Sequence, residues 1–193
     1  MNSSDCAIEV VNLTKCYGRI MAVDHISFKV RKGDIFGFLG PNGAGKTTTA
    51  RILTGVIQAD EGSATIMGYK AGSLKAKQIA GVLPEMANAY TDLSGWDNLM
   101  LMAQLYGVPV RETRERGIDL MQRMGLLSRK DDLVKAYSKG MKQRLILCMA
   151  LISDPQVLFL DEPTSGLDVQ STRLIRSILQ DLNATGKTIF LTT

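Results

Sequence analysis

Hydrophobic positions in the first thirty residues alternate with polar ones: Ile8 and Val10, then Val23 and His25 with Ile26, Phe28 and Val30. A period of two belongs to a strand with one buried face, and the two runs predict two short antiparallel strands. Lys32-Gly33-Asp34 breaks the pattern, and Ile35 to Leu39 is a continuous apolar run that predicts a buried strand. A glycine-rich loop follows, then a helix over 47–53 ending near Gly55, and short strands near 63–67 and 81–83. From Ala89 to Ile152 the spacing lengthens to that of helices. Leu99, Met102 or Ala103, and Tyr106 share one predicted face, and Ile118 and Met121 another, within a charged stretch that otherwise faces solvent. Pro155 opens a second buried strand, Val157 to Leu160. Ile175, Ile178, Leu179 and Leu182 mark an amphipathic helix closed by Gly186, and Thr188 to Thr192 reads as a final strand. Strand–helix alternation around a helical insert predicts an α/β fold with a mainly parallel sheet, preceded by an antiparallel β part.

Composition changes this picture little. The chain has 193 residues, suited to one domain, with 45% hydrophobic and 22% charged residues. Its net charge of +4, from 23 basic against 19 acidic residues, is too mild and dispersed to predict a nucleic-acid partner. The apolar run 145–152 falls far short of the roughly 20 residues of a membrane helix, so work at a membrane would need another polypeptide to span it. The N-terminal Met-Asn-Ser-Ser-Asp matches neither a signal peptide nor a lipidation motif. Cys6, Cys16 and Cys148 form no C-x-x-C pair and read as reduced thiols, Cys148 in the core. His25, the lone histidine, falls in a predicted strand and reads as structural.

The chemistry begins at Gly40-Pro41-Asn42-Gly43-Ala44-Gly45-Lys46-Thr47, which satisfies G-x-x-x-x-G-K-[ST] between a predicted strand and a predicted helix. Glycines let successive backbone N–H groups turn inward toward phosphate oxygens, and the helix adds its positive N-terminus. Lys46 suits the β- and γ-phosphates, the Thr47 hydroxyl suits Mg²⁺, and Thr48 suits the α-phosphate. The loop by itself specifies a nucleoside triphosphate and not which one.

Val157-Leu-Phe-Leu-Asp161-Glu162 runs four apolar residues into two carboxylates. A buried strand would deliver Asp161 beside the phosphate loop, where it could hold Mg²⁺ through water. Glu162, one residue further, is placed to accept a proton from an attacking water.

Tyr137-Ser-Lys-Gly-Met-Lys-Gln-Arg144 resembles the signature of ATP-binding cassette (ABC) ATPases, usually Leu-Ser-Gly-Gly-Gln. Asp161-Glu-Pro-Thr-Ser-Gly-Leu-Asp168 is similar to that family's Walker B and D-loop, and Tyr17 in Lys15-Cys-Tyr-Gly18 matches its adenine-stacking aromatic. The resemblance covers essentially the whole chain. It implies one ABC ATPase domain: a P-loop catalytic core with the antiparallel β part at about 1–84 and 154–193, and a helical part at about 85–153 carrying the signature. It also implies ATP and Mg²⁺ as cofactors and a second ABC ATPase domain as partner, a homodimer when ATP is bound. Ser138 and the Gly140 N–H would then contact the γ-phosphate of the facing copy.

Three departures stand out. Glu85 occupies the position where the family usually has the Q-loop glutamine; its carboxylate can ligate Mg²⁺ but cannot donate a hydrogen bond to water. Lys139 and Met141 replace Gly and Gln in the signature, and Tyr137 replaces Leu. The chain stops at Thr193, where the family's switch histidine would follow; the resemblance therefore implies a truncated C-terminus and reduced hydrolysis. Leu83 to Tyr90 and Leu93 to Leu99 resemble exporters of the drug and polysaccharide type. By that resemblance the chain is the ATP-hydrolysing subunit of an ABC transporter, working with a separate integral membrane permease at the cytoplasmic face of the membrane. Residues about 86–106 would meet the permease. The alternative is a soluble ABC ATPase of the iron–sulfur assembly type.

Overall fold

A computed structural model describes residues 5–84 and 88–193. The N-terminal part is an antiparallel sheet built on β1 (Cys6–Tyr17) and β2 (Ile20–Arg31), with β4 (Glu61–Ile66) and the two-residue β5 (Tyr69–Lys70) in the order β2-β1-β4-β5. The first two strands have 12 residues each rather than the short runs expected. They are long because bulges absorb the slips in their alternation. The sequence changes phase between His25 and Ile26, and His25 has φ 44 there, with its N–H on Thr14 Oγ1, while Asn12 on β1 has φ 48. The Asn12 N–H donates to Ser27 Oγ at 2.8 Å across this irregularity. Each bulge re-aims the side chains, so Val10 and Leu13 both point inward although three residues apart.

The second sheet is fully parallel, in the order β3-β8-β7-β6, from β3 (Ile35–Phe38), β6 (Ala80–Leu83), β7 (Val157–Asp161) and β8 (Thr188–Thr192). In β7 all five residues are buried, as its unbroken apolar run predicts for a parallel strand covered on both faces. The same expectation fails for 35–39. β3 is an edge strand among the described residues, Ile35 is 45% exposed and Leu39 is 70% exposed, and only Phe36 and Phe38 turn toward the core. An apolar run reports hydrophobicity; it does not report whether a neighbour covers the second face.

Two apolar cores flank the parallel sheet. On one side Val157, Phe159 and Phe190 pack with the antiparallel sheet and with α1 (Lys46–Leu53), and Phe28, Phe36 and Phe38 ring Phe190 at centroid distances of 6.1, 5.7 and 5.7 Å. On the other side Leu158, Leu160 and Ile189 meet α5 (Lys139–Leu151) and α6 (Val169–Ala184). Alternation along β7 and β8 thus divides one strand pair between two cores.

The helical segment comprises α3 (Gly95–Leu105), α4 (Val110–Arg123) and α5; a short α2 (Leu74–Gln78), with no forecast in the sequence pattern, precedes β6. Leu99 and Ala103 are fully buried on α3, with Met102 and Tyr106 packed at the margin. On α4 the expected pairing of Ile118 with Met121 does not hold: Met121 is buried but Ile118 is 45% exposed. The inward stripe runs through Thr113, Gly117, Leu120 and Met121, and Ile118 lies past its edge. Gly117 belongs to that stripe because Trp96 lies against it, where a Cβ would be 3.1 Å from the indole. Cys148 is fully buried, as expected, and burial pushes its thiol up to about 12, which leaves it unreactive. No helix among the described residues is long and apolar enough to cross a membrane.

Candidate functional site

The loop between β3 and α1 owes its shape to two glycines in the left-handed region, Gly43 at φ 83 and Gly45 at φ 82. Gly45 is doubly constrained, because a side chain there would run into the Ala22 carbonyl of β2. As the N-cap of α1 it supplies no side-chain acceptor, so the first N–H groups of the helix stay available to a ligand. Lys46 folds back over the loop and donates from Nζ to the Gly40 carbonyl at 2.7 Å and the Pro41 carbonyl at 3.1 Å. The Ala44 N–H closes the loop onto Pro41 O at 3.2 Å, and Thr49 N–H bonds Gly45 O at 2.8 Å.

A cleft of about 270 Å³ opens here, lined by Ala22, Asn42, Gly43, Gly45, Lys46, Thr47, Thr48 and Glu162. The register of the parallel sheet brings Glu162 to a loop far from it in sequence. Glu162 follows the last residue of β7, in the left-handed region at φ 47, an unusual backbone for a residue with a long side chain. Asp161 is buried at the end of β7, opposite Thr192 on β8. It lines an apolar groove of about 350 Å³ with Ala50 and Arg51 of α1, with Thr54 that follows the helix, and with Val82, Leu83 and Pro84.

Other expected site residues stand apart from this cleft. Tyr17 is exposed at the end of β1, with Lys15 Nζ 5.7 Å from its ring centre; its hairpin partner strand reaches the loop at Ala22. Ser138 caps α5, accepting from the Met141 N–H at 3.2 Å. Gly140 is buried against the start of α6, where a Cβ would lie 2.5 Å from Ser171 Oγ. Asp168 caps α6 through the Ser171 N–H at 2.8 Å, a bond that holds its carboxyl below the ordinary range. Neither Ser138 nor Gly140 lines the cleft. Glu85 lies outside the described residues.

Further features went unforeseen. Gln143 Nε2 donates to Pro163 O at 3.1 Å, tying α5 to the segment after Glu162. Lys139 Nζ lies over Gly166, which has no Cβ to block it, and makes no hydrogen bond or ion pair among the described residues. The Tyr137 hydroxyl donates to Arg129 O at 2.7 Å, in a space that a side chain at Gly95 would fill. Thr192 is the most consequential omission: fully buried, it hydrogen-bonds Asp161 and accepts from the Glu162 N–H at 3.2 Å. Its signal was a polar residue in phase with Phe190 at the C-terminal end of a buried strand.

Electrostatically the cleft combines one ammonium, the positive end of α1 and one carboxylate, a set suited to a polyanion that also carries a cation. Among the described residues no group of three or more His, Cys, Asp or Glu could hold a metal by itself. The donors at hand are hard oxygens, the Thr47 hydroxyl and the carboxylates that end β7. They fit Mg²⁺ shared with phosphates rather than a metal caged by protein alone.

Residues 23–165 match the model of the ABC transporter family. The linearmycin resistance ATP-binding protein LnrL of Bacillus subtilis is 38% identical over 96% of this chain and 60% of its own length. The Nod factor export ATP-binding protein I of Sinorhizobium fredii is 42% identical over 100% of this chain and 57% of its own. The chain thus spans about six-tenths of the length of these curated relatives. Among solved structures, an ATP-binding subunit of an ABC transporter superposes with a TM-score of 0.87 at 28% identity, over 97% of this chain and 79% of that one. A dimeric ATP-binding cassette in a post-hydrolysis state, bound to ADP and Pi, gives 0.86 at 25% identity, over 96% and 87%.

Proposed function

This chain belongs to the ABC transporter family, and on that premise we propose that it binds and hydrolyses ATP, pairs with a second copy around the nucleotide, and drives export through a separate membrane permease. The observation that carries the reading is the cleft in which the phosphate loop, Lys46, Thr47 and Glu162 face one another.

The reading assigns each residue a physical task. The backbone N–H groups of Gly40 to Thr47 and the start of α1 hold the phosphates, Lys46 exchanges its two carbonyl acceptors for β- and γ-oxygens, and Thr48 takes the α-phosphate. Tyr17 offers its exposed ring to adenine. Thr47 and Asp161 would hold Mg²⁺, which when bound neutralises phosphate charge. Glu162 accepts the proton of the attacking water as the terminal phosphoryl group is displaced. Ser138 and the Gly140 N–H of one copy face the γ-phosphate held by the other, so each site is completed across a two-fold axis. The dimeric state of the solved cassette bound to ADP and Pi supports this pairing.

We read the chain as one domain, with about 1–84 and 154–193 forming the catalytic core and about 85–153 the helical part that carries the signature. The match to the ABC transporter family and the export named for the Sinorhizobium fredii relative support a membrane permease as partner and a peripheral place on the inner face of the membrane. The segment of about 86–106 would meet the permease, with the apolar groove at Val82, Leu83 and Pro84 alongside it.

The test pairs binding with turnover. Glu162→Gln should keep ATP affinity within about twofold and lower hydrolysis about 100-fold or more, the range for removing a general base. A substitution that leaves hydrolysis unchanged would remove Glu162 from the reaction. Co-purification from membranes with an integral protein tests the transport reading; a chain found only in the soluble fraction would sink it and leave ATP binding standing.

A further inference from the structure

The ends of β7 and β8 share a hydroxyl that no expected role uses. Asp161 and Thr192 are direct partners across the parallel pair, on the same face as Phe159 and Phe190. Thr192 Oγ1 donates to Asp161 Oδ1, and the same oxygen accepts from the Glu162 N–H at 3.2 Å. A hydroxyl carries a single proton, and here it is committed to the carboxylate while a lone pair serves the amide. Thr192 has no exposed surface and Asp161 is 6% exposed, so water does not compete for either bond. Asp161 Oδ2 accepts no hydrogen bond among the described residues, leaving that oxygen as the one that can face a cation's shell. Glu162 meanwhile holds φ 47, a backbone that persists only where its surroundings over-determine it.

We propose that Thr192 is a positioning residue for the metal-side carboxylate and the base together: one hydroxyl orients Asp161 and pins the backbone of Glu162. The proposal rests on the reading of Asp161 as the carboxylate on the Mg²⁺ side. Its physical content is that the two carboxylates are not placed independently. The amide bond to Thr192 fixes where the Glu162 side chain departs, and the hydroxyl proton fixes which Asp161 oxygen is left for the cation. Outer-sphere partners of this kind govern metal affinity without touching the metal.

Thr192→Val keeps the shape and removes the hydroxyl; Thr192→Ser keeps the hydroxyl and removes a methyl. Affinity for a fluorescent ATP analogue is measured for each protein in EDTA and across a Mg²⁺ titration, with the urea midpoint recorded alongside. The expected result is that Thr192→Val binds the analogue in EDTA within about twofold of the parent but needs about 10- to 100-fold more Mg²⁺ for half its metal-dependent gain, and that Thr192→Ser restores the parent curve. A Mg²⁺ midpoint unchanged in Thr192→Val overturns the proposal. So does a Thr192→Val protein that has lost binding in EDTA or lost its fold while Thr192→Ser shows the same defect, because the residue is then a matter of packing. If Thr192→Val alone fails to fold, Thr192→Ala takes its place under the same criteria. A parent protein whose affinity is indifferent to Mg²⁺ would instead fail the reading of Asp161 itself, a result separable from any behaviour of the variants.

Discussion

The starts of α1 and α5 are both positive helix ends, yet they are finished in opposite ways. α1 opens on Gly45, a left-handed cap with no side-chain acceptor, and the cleft that it faces contains Lys46, Thr47, Thr48 and Glu162 of the same chain. α5 opens on Ser138, whose hydroxyl already accepts the Met141 N–H, and its Gly140 is packed against Ser171 of α6. One end is left open toward a cleft of its own chain. The other is closed by its own serine, presenting an exposed Ser138 and a Lys139 without a partner among the described residues to whatever lies outside. The dipole is common to both, so the difference resides in the cap: glycine leaves the donors to the ligand, whereas serine spends its oxygen on one of them.

Substitutions at the two ends should separate accordingly. Gly45→Ala should have the largest effect: its Cβ meets the Ala22 carbonyl and its φ is unfavourable for alanine, so nucleotide affinity should fall by about 100-fold or more in a fluorescence titration. Retained affinity would show that the loop tolerates another path and would erase the contrast with α5. Ser138→Ala removes a cap and should cost about 1 kcal/mol in urea unfolding. It should weaken ATP-dependent association of two copies about tenfold, seen by light scattering, while a single copy binds nucleotide as before. Weakened binding in the monomer would mean that α5 serves its own cleft after all. Lys139→Ala should be the mildest, within about 0.5 kcal/mol in stability. Any loss in association should shrink at high salt, because an exposed ammonium acts through a screened field. A salt-independent loss would place Lys139 in a packed contact instead.

The legibility of the sequence differs by region for a related reason. The phosphate loop, the β7 run into Asp161 and Glu162, and the buried stripe of α6 were all readable because each depends on residues close together in the chain. Ile35 to Leu39 misled because an edge strand and a central strand can share one apolar composition; only strand order separates them. Ile118 misled because its helix is narrow in apolar residues, and the stripe is centred by Gly117, which packs through lacking a side chain against Trp96. The long β1 and β2 were under-read because their bulges at Asn12 and His25 break the alternation that would announce them.

What the sequence by itself determined is the set of local chemistries: a glycine loop able to turn N–H groups inward, a lysine and a threonine beside it, two carboxylates at the end of an apolar run, and a serine at a helix start. What only the tertiary structure decided is which of these meet. The parallel register brings Glu162 to the rim of the phosphate cleft and aligns Asp161 with Thr192, while Ser138 and Gly140 stay away from it. The reason is that a motif encodes torsions and hydrogen-bond donors within a few residues, whereas the meeting of residues 115 positions apart, as Thr47 and Glu162 are, depends on strand order and on which face of each strand a core covers. Thr192 shows this most directly: in the sequence it is one more strand threonine, and across the sheet it joins the Asp161 carboxylate to the backbone N–H of Glu162.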